Sequence, residues 1–138
     1  GGGVAGGAIQ SYMDYVTISS EGNANEFGNL TRSHKACGTV SSLAGRGVFA
    51  GGRSGSSQTT TIDYITIASL GDASGFHVLT GARAWCSGCN DDTRGIFGTG
   101  YDGINILDYI TIGSTGSCTD FGDKAPDFYY GATALSGD

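Results

Sequence analysis

Three Asp-Tyr dipeptides, Asp14-Tyr15, Asp63-Tyr64 and Asp108-Tyr109, form the only polar constellation that the chain spells three times. The chemistry open to such a pair is binding. A tyrosine ring gives a sugar a face to stack on, and a carboxylate beside it accepts hydrogen bonds from hydroxyls. The same pair also has a structural use, in which the carboxylate accepts from a neighbouring turn, or from Arg46 or Arg94, and holds two segments in place. Identity in every copy, down to the place within the segment, favours the structural use, because stacked repeats must offer each neighbour the same contact.

The remaining reactive residues converge less. Cys86-Ser87-Gly88-Cys89 has the spacing of half a zinc site or of a redox pair. No second CxxC exists, and the flanking sequence is not the βαβ context in which a redox pair works. Cys37 stands at the place that corresponds to Cys86, so both read as small apolar core residues. Cys89 and Cys118 have no counterparts and are expected in loops, where an extracellular setting would allow a disulfide. His34 and His77 occupy non-equivalent positions with no Ser or Cys at a meaningful spacing, and read as strand or surface residues. The loops "CNDDTRG" and "GYDGIN" lack calcium-loop spacing, and no Gly-x-Gly-x-x-Gly match opens a helix. Asn29-Leu30-Thr31 is a glycosylation sequon. The expectation is a protein that is not an enzyme and holds no cofactor or metal.

Composition says what must position these residues. Of 138 residues 26 are Gly and one is Pro, and only 14% are charged. Gly weakens helix interiors and supplies the positive-φ corners of tight turns, which points to many short strands. Apolar residues reach 38% and cluster, as a folded core requires. A net charge of −6 and a pI near 4.5 oppose binding to nucleic acid or an anionic membrane surface. No apolar run nears the roughly 18 residues of a membrane helix. The first residues show neither a signal-peptide pattern nor an initiator Met, as expected of a chain that is processed, truncated or given without its true start, so localisation is not read from them.

The strand pattern is a repeat. "MDYVTI" from Met13, "IDYITI" from Ile62 and "LDYITI" from Leu107 are each followed by a Gly-containing turn and an aromatic, Phe27, Phe76 or Phe121. The unit reads as four strands: a ("KACGTVS"), b ("RGVFAGG"), c ("IDYITI") and d ("GFHVL"). Strand c alternates, with Ile65 and Ile67 on one face and Tyr64 and Thr66 on the other. The stretch "RSGSSQTTT" between b and c reads as a surface loop. Polar Thr17, Thr66 and Thr111 opposite the Ile and Val face suggest a sheet with one wet side.

The opening "GGGVAGG" reads as strand b with Gly6-Gly7 as its diglycine, and "FYYGATALSGD" at the end as strand a. From Asp14 to Asp63 is 49 residues and from Asp63 to Asp108 is 45, and the path onward through both ends to Asp14 amounts to 44. The expected fold is therefore one all-β domain, 1–138, of three repeated four-stranded, blade-like antiparallel sheets. One unit is shared between 1–30 and 128–138, and the others are 31–79 and 80–127. In this scheme an N-terminal strand of Gly1, Gly2, Gly3, Val4, Ala5, Gly6 and Gly7 completes the last sheet against Ala132, Thr133, Ala134 and Leu135, which hides two edges.

This unit resembles the kelch-type repeat of β-propellers over nearly the whole chain. The family's diglycine after strand b is matched at Gly51-Gly52 and degraded at Gly98-Thr99-Gly100, while Phe27, Phe76 and Phe121 stand where the family has Trp in strand d. The wording is similar to the kelch-like blades in structural proteins of aquatic tailed phages. The resemblance implies a three-bladed, prism-like closure, half of a six-bladed ring, or strand pairing between molecules. The one wet side favours the prism. The function expected is that of a structural subunit of an extracellular filament or a virion (tail or fibre type), whose partner is itself. A lectin-like, carbohydrate-binding module is the alternative.

Overall fold

Glycines and β-branched residues alternate through this chain at intervals too short for helices. The computed structural model describes residues 1–98, 100–101 and 104–124, and these hold thirteen strands and no helix. They are β1 (Gly3–Ala5), β2 (Ala8–Gln10), β3 (Tyr12–Tyr15), β4 (Asn25–Asn29), β5 (Gly38–Ser41), β6 (Arg46–Ala50), β7 (Arg53–Ser54), β8 (Ser57–Thr66), β9 (Ser74–Arg83), β10 (Ser87–Asn90), β11 (Arg94–Gly98), β12 (Ile106–Thr111) and β13 (Thr119–Asp123). The protein is all-β, built of several small antiparallel sheets.

The expected unit of four strands is present twice, as β5-β6-β8-β9 and as β10-β11-β12-β13, each in the spatial order a-b-c-d. Of the first unit, the described residues hold the pair β3-β4, its c and d strands. "RSGSSQTTT" is no loop. Arg53 and Ser54 form β7 against Ser57 and Gln58, and the Ser/Gln/Thr run that follows is the start of the ten-residue β8. Three consecutive β-branched threonines, Thr59, Thr60 and Thr61, extend the strand beyond its apolar part.

All three c-d pairs carry a register shift at the same step, between Met13 and Asp14, Ile62 and Asp63, and Leu107 and Asp108. Opposite that step the d strand has one residue too many, and the extra residue is Phe27, Phe76 or Phe121. A bulge re-aims the residue it displaces. Here it swings each Phe against the Tyr of strand c, edge to face, at 6.2, 6.0 and 6.0 Å between ring centroids.

The units stack through two apolar layers. Met13, Phe27 and Leu30 of the first unit pack with Phe49, Ile65 and Ala73 of the second. Val40, Val48, Ile62 and Phe76 of the second pack with Phe97, Ile110 and Ile112 of the third. The middle sheet is thus covered on both faces, Ile65 toward one neighbour and Ile62 and Tyr64 toward the other, which corrects the expected wet side. Thr17, Thr66 and Thr111 are exposed, but Thr66 and Thr111 sit at the ends of their strands, past the stacked region. Backbone runs close between units: the Gly88 Cα lies so near the Thr39 carbonyl that any Cβ would collide with it. Asn90 reaches back from the same strand, its Nδ2 donating to the Ser41 carbonyl at 2.7 Å.

The N-terminal register differs from the expected one. Gly2 N–H donates to the Tyr12 carbonyl (2.9 Å) and Gly3 N–H to the His34 carbonyl (3.0 Å), as Gly51 N–H does to Thr61 (2.9 Å) and Gly52 N–H to Arg83 (2.8 Å). Their φ angles match as well, 71° and 125° against 68° and 111°. The diglycine of the first unit is Gly2-Gly3, not Gly6-Gly7, and Gly1 takes the place of Ala50, the last residue of β6. β1 is therefore no strand b. Its Val4 pairs with Ile9 of β2 in the short hairpin that β7 and β8 form one unit later. Ala132, Thr133, Ala134 and Leu135, the expected partners of the N-terminal segment, lie outside the described residues.

Candidate functional site

The repeated aspartates clamp one unit to the next. Asp63 is fully buried and accepts from the Thr31 N–H (3.0 Å) and hydroxyl (2.6 Å). Asp108, equally buried, accepts from the Thr80 N–H (3.1 Å) and hydroxyl (2.6 Å). It also pairs with Arg83 at 2.6 Å, and neither side chain of that pair is exposed. Arg83 spends its other donors on the carbonyls of Ile106 (2.8 Å) and Gly81 (3.3 Å). A buried carboxylate is tolerated when its oxygens are filled by such charge-assisted bonds. Thr31, Thr80 and Arg83 are contacts that sequence reasoning missed. The signal was there: each threonine lies four residues after the bulged Phe of its unit.

Arg46 and Arg94, expected as alternative partners of the aspartates, cap the tyrosines instead. The Arg46 guanidinium lies 4.4 Å from the Tyr64 ring centroid and that of Arg94 5.1 Å from Tyr109. Arg46 also reaches into the next unit, where its Nη1 donates to the Ile112 carbonyl at 2.9 Å. In two units, then, Arg, Tyr and Phe form one stack across strands b, c and d. Asp14 and Tyr15 are the exception. Both are exposed, Asp14 has no hydrogen-bond partner among the described residues, and no guanidinium caps Tyr15.

With Gly1 at the place of Ala50, no described strand lies along the outer edge of β3, where β8 and β12 have β6 and β11. A groove of about 430 Å³ runs there, lined by Met13, Tyr15 and Val16 on one side and by Phe49, Ile65, Ile67 and Leu70 on the other. Val16, Ile67 and Leu70 are at least half exposed, at 56%, 50% and 65%.

The other candidates are occupied by structural work. Burial pushes the Cys37 and Cys86 thiols up to about 11 and that of Cys118 up to about 12, away from the thiolate form that nucleophiles and metal ligands need. All four thiols are free. Cys89 lies within β10 rather than in a loop, whereas Cys118 lies in the loop before β13, packed against the larger core layer. His34 is buried with neither ring nitrogen partnered, and burial lowers its pKa against the opposing pull of Asp63. It occupies the place that Arg83 has one unit later. His77 is exposed on β9.

Asp91 accepts from the Thr93 and Arg94 amides at 2.7 and 2.6 Å, which shapes the turn into β11 and lowers its pKa. The Asn29 amide donates to Asp72 (3.3 Å) and its oxygen accepts from the Ser11 hydroxyl (3.0 Å), so the sequon side chain is tied to two neighbours. Among the described residues no three His, Cys, Asp or Glu side chains gather where they could hold a metal ion. No family model matches the chain, and no curated protein is similar to it.

Proposed function

We propose that the chain is a non-catalytic structural subunit of an extracellular filament or a virion, whose a-b-c-d sheets are kelch-like blades and whose partners are other copies of itself. One observation supports this reading: its units are joined by one repeated contact, a buried aspartate held by a threonine of the preceding unit, Asp63 by Thr31 and Asp108 by Thr80. Copies that meet through the same contact stack head to tail, into a ring or a filament according to the rotation between them. Nucleic acid and membrane insertion have no part in this reading.

Light scattering over a range of concentrations, with electron micrographs of the same samples, tests it. Rings or filaments with one repeated subunit spacing are expected. A monomer at every concentration overturns the proposal. The lectin-like alternative draws on the exposed Asp14-Tyr15 pair, an acceptor beside an open aromatic face, and a glycan array checks it.

A further inference from the structure

We infer that Cys37 and Cys86 are partners in a disulfide that joins the second unit to the third. Each stands immediately before strand a of its unit, β5 or β10, and each follows a residue held in the left-handed region, Ala36 at φ 62° and Trp85 at φ 58°. The same bend in neighbouring units lays the two a strands side by side, running the same way with a constant offset of 49 residues. The Trp85 N–H donates to the Ala36 carbonyl at 2.8 Å. Gly88 lies against the Thr39 carbonyl, and Asn90 and Ser41 exchange two hydrogen bonds, at 2.7 and 3.4 Å. Cys37 and Cys86 form the rung between the first two of these contacts. Backbones in such contact hold opposed Cα atoms about 5 Å apart, inside the roughly 4.4–6.8 Å that a disulfide bridges.

The two sulfurs also share one space. A Cβ on Gly38, the residue after Cys37, would come within 3.0 Å of the Cys86 Cβ, so the Cys86 side chain lies against the backbone of its partner. A Cβ on Gly51 would stand 2.8 Å from the Cys86 sulfur, and one on Gly52 3.3 Å from the Cys37 sulfur. Both sulfurs therefore occupy room that the diglycine leaves by having no side chains. Burial keeps both thiols protonated in the folded chain, so the bond is made as the chain folds, by exchange with a small disulfide such as oxidised glutathione. One protein thiol loses its proton and attacks the small disulfide, which gives a mixed disulfide and one small thiol. The second loses its proton, attacks the protein sulfur of the mixed disulfide and expels the other small thiol. The protein pair gives up two protons and two electrons, and the small disulfide takes them up as two thiols.

The test refolds the reduced full chain in a mixture of reduced and oxidised glutathione, both unsubstituted and as Cys89→Ser/Cys118→Ser, in which only Cys37 and Cys86 remain. The double variant should end with no free thiol and no glutathione adduct. Its unreduced tryptic digest should hold peptide 36–46 joined to peptide 84–94. In the unsubstituted chain, fragmentation of the joined peptides should place the bond on Cys86 rather than Cys89, with peptide 95–124, which carries Cys118, outside it. The bond closes a loop of about 50 residues, so the urea midpoint of the oxidised chain should lie about 1–2 M above that of the reduced chain. Cys37→Ala and Cys86→Ala chains should show no such difference. Two free thiols or two glutathione adducts after refolding, bonds only between separate chains, or an oxidised chain no more stable than the reduced one overturn the inference.

Discussion

Replacing Arg83 with Met leaves the Asp108 carboxylate in place and removes the one cation that neutralises it. Both side chains are fully buried and meet at 2.6 Å. The loss also strips the Ile106 carbonyl of its 2.8 Å donor. Asp108 would keep only the two Thr80 donors. Breaking a buried pair from one side costs about 3–5 kcal/mol, most of it the penalty of an uncompensated charge in a low-dielectric interior. With a urea slope of about 2 kcal/mol/M for a domain of this size, the unfolding midpoint should fall by about 2 M.

Arg83→Met combined with Asp108→Asn removes the charge as well as its partner. It should regain at least about 1.5 kcal/mol over Arg83→Met alone, a coupling that a double-mutant cycle isolates. Urea unfolding followed by tyrosine and tryptophan fluorescence reads both variants, with an unchanged slope as the check that only stability moved. An Arg83→Met midpoint close to wild type, or a double variant no better than the single one, would refute the account of Asp108 as a clamped charge.

Gly51→Ala should cost well over the roughly 1 kcal/mol of a left-handed non-glycine residue. Its φ is +68° and its Cβ would come within 2.7 Å of the Arg83 carbonyl, whereas Gly55→Ala, at +61° in open space, should cost only that 1 kcal/mol; thermal unfolding compares them. Burial lowers the His34 pKa below its ordinary 6.5, with Asp63 pulling it up and the N-terminus and Arg32 adding to the lowering. The unfolded chain therefore takes up a proton that the folded chain refuses. Stability should decline as pH falls from about 6.5 toward the lowered value, and His34→Gln should flatten that decline in denaturant titrations at a series of pH values. At about pH 8, thiols held near 11, as in Cys37 and Cys86, should react with iodoacetamide on the order of a hundredfold more slowly in the folded than in the unfolded protein, as mass spectrometry of quenched samples would show.

The sequence by itself determined the repeat and its four strands, because alternation and turn glycines act within a few residues. β5, β6, β8 and β9 lie where "KACGTVS", "RGVFAGG", "IDYITI" and "GFHVL" put them, while of the three Asp-Tyr pairs only Asp63 and Asp108 make the contact between units. Only the tertiary structure decided what those pairs touch, since Thr31 and Asp63 meet across a boundary between units, 32 residues apart. It also decided the N-terminal register. "GGGVAGG" holds two diglycines of equal local merit, and the choice falls to which amides reach the Tyr12 and His34 carbonyls. The distance from diglycine to aspartate, twelve residues in both units, was the sequence signal for it. Backbone pairing is settled by which segments arrive side by side, and local pattern says only that a segment is ready to pair.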